Sequence, residues 1–275
     1  MNAPCASPAR ASSRTRSSAV GPTFAAGALC VVAVFLAPLL PTTGAAAQES
    51  RIILEVEGGP AWQSSNNVEV PNDGTATRFS LPDVVGTGHT WAGRMYLTWR
   101  LTDRSDLRVL YAPLSFTETG TPGGPLRFAD EDFVGGTPVE ARYTFNSYRV
   151  SYRWRARSSD RADYWIGGTA KIRDATIKLD QGSVSGRTDD VGFVPLLHLA
   201  ADWRLGPGLH VSADVDALAG GPGRAIDGAL KIGYEMGDGW SLRVGYRTVE
   251  GGADVDSVYN FAWINYAVAS VVWRW

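Results

Sequence analysis

The 275-residue chain has only three histidines, His89, His198 and His210, so imidazole acid–base or metal chemistry has few places to reside. His198 and Asp202 are four residues apart. On a strand this spacing puts them on one face but about 13 Å apart, beyond hydrogen-bond reach. No serine has a supporting histidine and acid at a usable spacing, so no catalytic residue is assigned. Two acidic clusters, Asp130-Glu131-Asp132 and Glu250 with Asp254 and Asp256, offer the oxygen ligands calcium prefers. Neither has the glycine and spacing of a defined calcium loop, so both are expected to be solvated loop charge. Gly220-Gly221-Pro222-Gly223 is not followed by a helix or by Lys-Ser/Thr, and is expected to be a turn, not a phosphate cradle. No metal or cofactor is expected.

The first 47 residues have the pattern of an export signal. Arg10, Arg14 and Arg16 precede an apolar run from Phe24 to Leu40, and Ala45-Ala46-Ala47 fits the small-residue cleavage pattern, which places cleavage before Gln48. A lipid anchor is not expected at Cys30, because Leu29 stands where a lipobox needs Gly or Ala. Cleavage removes both cysteines, Cys5 and Cys30, and with them any disulfide, thiol nucleophile or thiolate metal site. Residues 48–275 then form a single domain with 23 cationic side chains against 28 acidic ones. Only Lys171, Lys178 and Lys231 of those cations are lysine. The mildly acidic balance, with no contiguous basic block, argues against nucleic acid. No run of 18 apolar residues follows the leader, so no transmembrane helix is expected, and 27 aromatic residues exclude disorder.

The elements that must position any site are strands. Trp91, Met95, Leu97, Trp99 and Leu101 alternate with Arg94, Thr98 and Arg100; Tyr148, Val150, Tyr152 and Trp154 alternate with Arg149, Ser151, Arg153 and Arg155. Runs of this kind predict ten strands, near 51–63, 89–101, 106–117, 141–155, 162–179, 191–205, 209–218, 225–236, 240–249 and 258–275. Pro113 and Pro195, inside two of them, suggest a bulge or a local break in the ladder. Short connections at Thr102–Ser105, Ala156–Arg161, Gly206–Gly208 and Gly237–Gly239 alternate with longer ones at 64–88, 118–140, 180–190, 219–224 and 250–257. Short turns on one rim and longer loops on the other are the layout of an all-β, antiparallel up-and-down transmembrane barrel. The strand count falls to eight if the region around the first long loop is misread.

Three features point the apolar face outward, into lipid. Strands entering the short-turn rim end in an aromatic followed by an ion: Trp99-Arg100, Trp154-Arg155, Trp203-Arg204, Tyr234-Glu235 and Trp273-Arg274. Such a ring suits the membrane–water boundary, where an aromatic keeps its body in hydrocarbon and its polar tip in water. The apolar face also carries more Trp, Tyr and Leu than a closed lumen could hold. The last strand ends with Ala267, Ala269, Val271, Trp273 and Trp275 on one face. This resembles the C-terminal signature by which Gram-negative outer-membrane proteins are recognised for insertion, and the whole of 48–275 resembles a small outer-membrane β-barrel protein. The resemblance implies a location in the outer membrane and contact with its lipid and lipopolysaccharide. It also implies engagement of the barrel-insertion machinery through Trp275, and a monomer.

The same alternation sends ions inward. Seven acids (Glu55, Glu57, Asp202, Asp214, Asp216, Asp227 and Glu235) share the lumen with twelve bases: Arg94, Arg100, Arg108, Arg149, Arg153, Arg155, Lys171, Arg173, Arg204, Lys231, Arg243 and Arg247. The candidate lumen network is Arg149, Arg153, Lys171, Arg173, His198, Asp202, Asp214, Asp216, Asp227, Lys231, Arg243 and Arg247. A small barrel is filled by its side chains, and arginine forks pair bidentately with carboxylates, so a plugged lumen with a structural or surface-interaction role is expected. A narrow anion-permeable channel is the second reading, from the excess of bases. An enzyme acting on lipid A or peptide at the loop rim is the third.

Overall fold

The computed structural model describes residues 51–275 except residue 222. The expected signal segment, with Cys5 and Cys30, lies outside the described residues. In chain order the elements are β1 (Ile52–Glu69), β2 (Phe79–Ser80), α1 (Leu81–Val85), β3 (His89–Arg100), β4 (Ser105–Ala112), β5 (Ser115–Gly120), β6 (Leu126–Phe128) and β7 (Glu131–Phe133). They continue with β8 (Val139–Ser158), β9 (Ala162–Gln181), β10 (Val184–Arg204), β11 (Leu209–Gly220), β12 (Gly223–Gly237), β13 (Trp240–Val255) and β14 (Val258–Arg274).

Each wall strand pairs antiparallel with the next, and β1 closes the cylinder against β14 from Ile53↔Arg274 to Glu69↔Tyr259, with a bulge between Gln63 and Ser65. Closure pairs the backbone groups of the wall strands with one another and removes the sheet edges. β4 and β5 are one wall strand interrupted at Pro113, since both pair with β8 (Ser105↔Trp154 and Gly120↔Val139). The wall therefore has ten strands, not eight, and the break suspected at Pro113 is present. On the short-turn rim Gly237, Asp238 and Gly239 all take positive φ (91°, 52° and 81°), the left-handed conformation a tight hairpin turn needs.

The outward face carries the apolar residues. Leu199, Leu230 and Val244 are 47%, 58% and 55% exposed, whereas Arg94, Thr98 and Arg149 are buried. Trp99, Trp154, Tyr234 and Trp240 are exposed around the short-turn end, with Trp273 stacked between Trp240 and Trp275 at 5.3 and 4.3 Å. A second set of exposed aromatics, Trp91, Tyr111, Tyr148, Phe193 and Trp263, lies toward the opposite end of the apolar band.

On the other rim the expected boundaries need correction. The segments 180–190 and 250–257 are mostly strand: β9 and β10 continue to Gln181 and Val184, and β13 continues to Val255, so Glu250 and Asp254 sit on a strand, while β11 and β12 meet in the expected tight connection between Gly220 and Gly223. Glu250 pairs with Arg224 at 2.6 Å and Asp254 accepts from Asn72 at 2.7 Å. These extensions were invisible because their polarity is reversed, with polar residues outside and apolar ones inside. The two long connections fold back over this end. Leu81 and Val85 of α1 join Phe128 of β6 and Phe133 of β7 in one buried apolar cluster with Val139, Tyr143, Ile177 and Leu179. The cluster Asp130-Glu131-Asp132 is the exposed tip of the β6–β7 hairpin, where Asp132 lies 3.4 Å from Arg127.

Candidate functional site

The lumen is the site the alternation builds, and it has three levels. At mid-height lies a nearly dry ionic layer. From β8, Arg149 reaches Asp216 of β11 at 2.9 Å and Asp227 of β12 at 2.6 Å, while its Nε donates to Ser147 Oγ at 2.9 Å. From β3, Arg94 donates to Asp227 at 2.8 Å and to Tyr96 Oη at 2.9 Å. Arg247 of β13 also pairs with Asp227 and donates to Glu57 Oε1 at 2.8 Å. Lys231 of β12 reaches Glu57 at 2.8 Å and pairs with Glu55, which Arg243 approaches at 3.4 Å. Every strand in this list faces the axis with alternate residues, so partners far apart in sequence meet across it. Each carboxylate collects several charge-assisted bonds, which is what a buried ion requires.

Below this layer, toward the short-turn rim, is an open vestibule of about 470 Å³ lined by Arg100, Arg108, Arg153, Asp202, His210, Asp214 and Arg243 among others. Arg153 grips both oxygens of Asp106 (2.5 and 2.9 Å), and Arg108 grips both of Asp214 (2.6 and 3.2 Å). His210 packs where Gly233 has no side chain: a Cβ there would stand 2.3 Å from its Nε2. Arg204 and Glu235 occupy the rim, paired with Asp163 (2.8 Å) and Arg274 (2.9 Å). Above the layer stand Lys171 and Arg173 of β9. Arg173 pairs with Asp190, and Lys171 lies 4.8 Å over the Phe145 ring.

The expected set thus divides. Arg149, Lys231, Arg243, Arg247, His198, Asp214, Asp216 and Asp227 form one connected network, whereas Arg153 and Asp202 belong to the vestibule, and Lys171 and Arg173 stand above. His198 does not use Asp202, in keeping with their spacing. Its register partner across the ladder is Asp216, whose Oδ1 lies 2.8 Å from Nδ1, and Asp214 lies 3.9 Å from Nε2. Several participants escaped the sequence reading, among them Ser147, Asp163, Thr169 and Asp190, and two more are instructive. Asp106 shares parity with Arg108, which could have revealed it. Tyr96, in an arginine-rich inward row, sits under Arg108 at 5.2 Å and Arg94 at 5.7 Å.

His198, Asp214 and Asp216 offer ligand atoms within 4.8 Å of one another. They do not fit a divalent ion. Arg108 occupies both oxygens of Asp214, and Arg149, Thr169 and His198 occupy those of Asp216, so fixed positive charge already fills the place a cation would take. The arrangement holds a histidine in place, with the Thr169 hydroxyl donating to the same carboxylate oxygen.

No family model matches the chain, and no curated protein matches it. Among solved structures it is similar to the outer-membrane protease OmpT from Escherichia coli (12% identity, 84% of this chain and 99% of that one, TM-score 0.44). It is also similar to the attachment invasion locus protein Ail of Yersinia pestis (8% identity, 82% and 99%, TM-score 0.39). An outer-membrane channel from Pseudomonas putida F1 is similar as well (9% identity, 85% and 100%, TM-score 0.39). The ladders, the outward apolar band and the ionic lumen make this chain a closed, ten-stranded antiparallel β-barrel that is apolar outside and charged within.

Proposed function

We propose that the chain is an integral protein of the outer membrane of a diderm bacterium, closed along its axis, whose role is structural or one of surface contact through its folded cap. The observation that carries this reading is the buried layer across the lumen. Glu57, Arg94, Arg149, Asp216, Asp227 and Arg247 are each at most 6% exposed and hold one another, and the apolar cluster under α1 and the β6–β7 hairpin lies above them. A passing ion would have to displace a partner from this network or cross the apolar cluster above it. The excess of inward bases, which favoured an anion conduit, loses force in this layer because Arg94, Arg149 and Arg247 are already paired with carboxylates there.

In planar bilayers the purified protein is expected to give no discrete conductance steps. Steps abolished by Arg149→Gln or Arg153→Gln would establish the channel instead. Lipid A mass profiles are expected to be unchanged by its expression. Lipid and lipopolysaccharide around the apolar band, insertion machinery engaged through Trp275, and a monomeric state belong to the same proposal. It is tested by fractionation with outer membranes and a gel shift on boiling. Single cysteines at Leu199, Leu230 or Val244 should resist bulky water-soluble maleimides in intact membranes; free reaction there overturns the membrane reading.

A further inference from the structure

The barrel wall is not sealed to the same height everywhere. β10 pairs with β9 along its whole length, from Trp203↔Ala162 to Val184↔Gln181, but with β11 only from Arg204↔His210 to Leu197↔Ala217. Pro195, which has no N–H to donate, stands two residues past the last of those pairs. Beyond it β10 climbs without a β11 partner, while the shorter β11–β12 hairpin turns back between Gly220 and Gly223. The mismatch leaves a notch with Phe193 and Pro195 on one edge and Leu218 and Ala225 on the other, leading into a cavity of about 300 Å³. Leu218 has the inward parity of Asp214 and Asp216 yet is 46% exposed, because it faces this opening. The lip lies in the apolar band, where Val191 and Phe193 are 70% and 65% exposed on the outer face. A comparable lapse, where the β3–β4 ladder ends at Met95↔Tyr111, encloses only about 10 Å³.

The cavity joins two chemistries. Its inner wall is apolar, with Tyr143, Phe145, Val249 and Ile264, and its floor carries Lys171 and Arg173. Lys171 is 3% exposed and, among the described residues, forms no ion pair or hydrogen bond; the Phe145 ring is its contact. Arg149, Arg173 and Arg94 repel its ammonium, and Asp227, which attracts it, is already shared by Arg94, Arg149 and Arg247. Arg173 lies across the backbone at Gly192, 3.4 Å from where a Cβ would be, and its buried Nε has no acceptor. A buried ammonium with no anion is costly unless something anionic completes the site. The volume is at the small end of ligand pockets, enough for a head group and the first part of a chain.

We infer that this notch admits a single-chain anionic amphiphile from the bilayer. Its carboxylate or phosphate head rests on Lys171 and Arg173, its first carbons lie along Phe145 and Ile264, and the rest of the chain lies in the notch and the lipid. This goes beyond the closed-barrel reading, since entry is through the wall and leaves the axial plug in place.

The test uses the full chain refolded into phosphatidylcholine nanodiscs and titrated with cis-parinaric acid, whose fluorescence rises on binding. Saturable binding is expected, weakened about ten- to a hundredfold by Lys171→Met, as for a lost charge-assisted bond. Lys171→Arg should restore it, Leu218→Trp should block it with Lys171 intact, and a fatty alcohol should be insensitive to Lys171→Met. Folding of each variant is read from its boiling-dependent gel shift. Displacement by palmitate identifies a free fatty acid as the occupant; displacement only by lysophosphatidylglycerol added to the discs identifies a single-chain phospholipid as the occupant. Displacement by neither, or equal probe affinity in the parent, Lys171→Met and Leu218→Trp proteins, overturns the inference.

Discussion

Two stretches of the same strand face opposite solvents. On the lower part of β8, Tyr148, Val150, Tyr152 and Trp154 point outward and Ser147, Arg149, Ser151 and Arg153 point inward. On its upper part the outward residues are Glu140, Arg142, Thr144 and Asn146, and the inward ones are Val139, Ala141, Tyr143 and Phe145. The ladder to β9 is continuous through the change, from Ser151↔Thr169 through Ser147↔Arg173 to Glu140↔Asp180. Backbone geometry therefore has no part in it. On the proposed membrane placement, the change is in what lies outside the wall: hydrocarbon below, water above. Where lipid covers the exterior, apolar side chains gain nothing by turning inward and polar ones must. Where water covers it, the hydrophobic effect drives the barrel to make an ordinary apolar core, which the β6–β7 hairpin and α1 then cap. The lower half is held by ions and the upper half by burial.

The strongest way to break that contrast is to remove a charge from the lower half. Asp227→Ala leaves Arg94, Arg149 and Arg247 without their shared carboxylate, and the expected loss is about 3–5 kcal/mol, read as a fall in the urea midpoint for unfolding from lipid vesicles. An unchanged midpoint would mean the network is wet and dispensable. In the upper half, Phe128→Ala removes a ring with no exposed surface, and should cost the cap about 3 kcal/mol. That loss should appear as faster proteolysis of the 121–138 segment while the boiling-dependent gel shift persists. Parity itself is tested by one substitution at two heights on the outward face of β8. Val150→Arg should destabilise by about 2–4 kcal/mol, as for a cation near the middle of the bilayer. Thr144→Arg, six residues higher, should stay within about 0.5 kcal/mol. Equal effects would mean that the apolar band has been placed at the wrong height.

Ten strands and the outward face of the lower half were legible because alternation with large side chains is a strong signal wherever lipid is the solvent. The upper extension of β10 was not. Its outward residues, such as Ser185, Arg187 and Asp189, look like loop composition, and only pairing with Asp180, Lys178 and Thr176 of β9 identifies them as strand. The lumen ions could be named one at a time from parity. Their partners could not, because Arg149 meets Asp216 and Asp227 across the axis, at sequence separations of 67 and 78. His198 was compared with Asp202 along its own strand, while its real partner Asp216 sits opposite it on β11 by register. Pro195 could be seen as a break. That the break opens onto a cavity depends on β10 outreaching the β11–β12 hairpin, a difference in height that no single strand records.

The smallest effect separates the two kinds of ion. On the upper exterior, Arg187 donates twice to Asp189 at 2.7 Å and Thr176 once at 2.6 Å, with both charged side chains more than half exposed. Those bonds, Arg187's first and Thr176's second, hold the Asp189 carboxyl below its ordinary range. A carboxyl lowered by folding adds stability above the pKa of the unfolded aspartate, near 3.9, and the contribution is lost as pH falls through the folded value. Water and salt screen this pair, so Asp189→Asn should cost no more than about 1 kcal/mol at pH 7, less at high salt, and nothing measurable once acid has protonated the parent carboxyl. Asp227→Asn, in the dry layer, should show a larger loss at pH 7 that 1 M salt leaves in place. Equal salt sensitivity at the two positions would place water in the lumen at the height of Asp227, and the axial plug would then be a solvated passage.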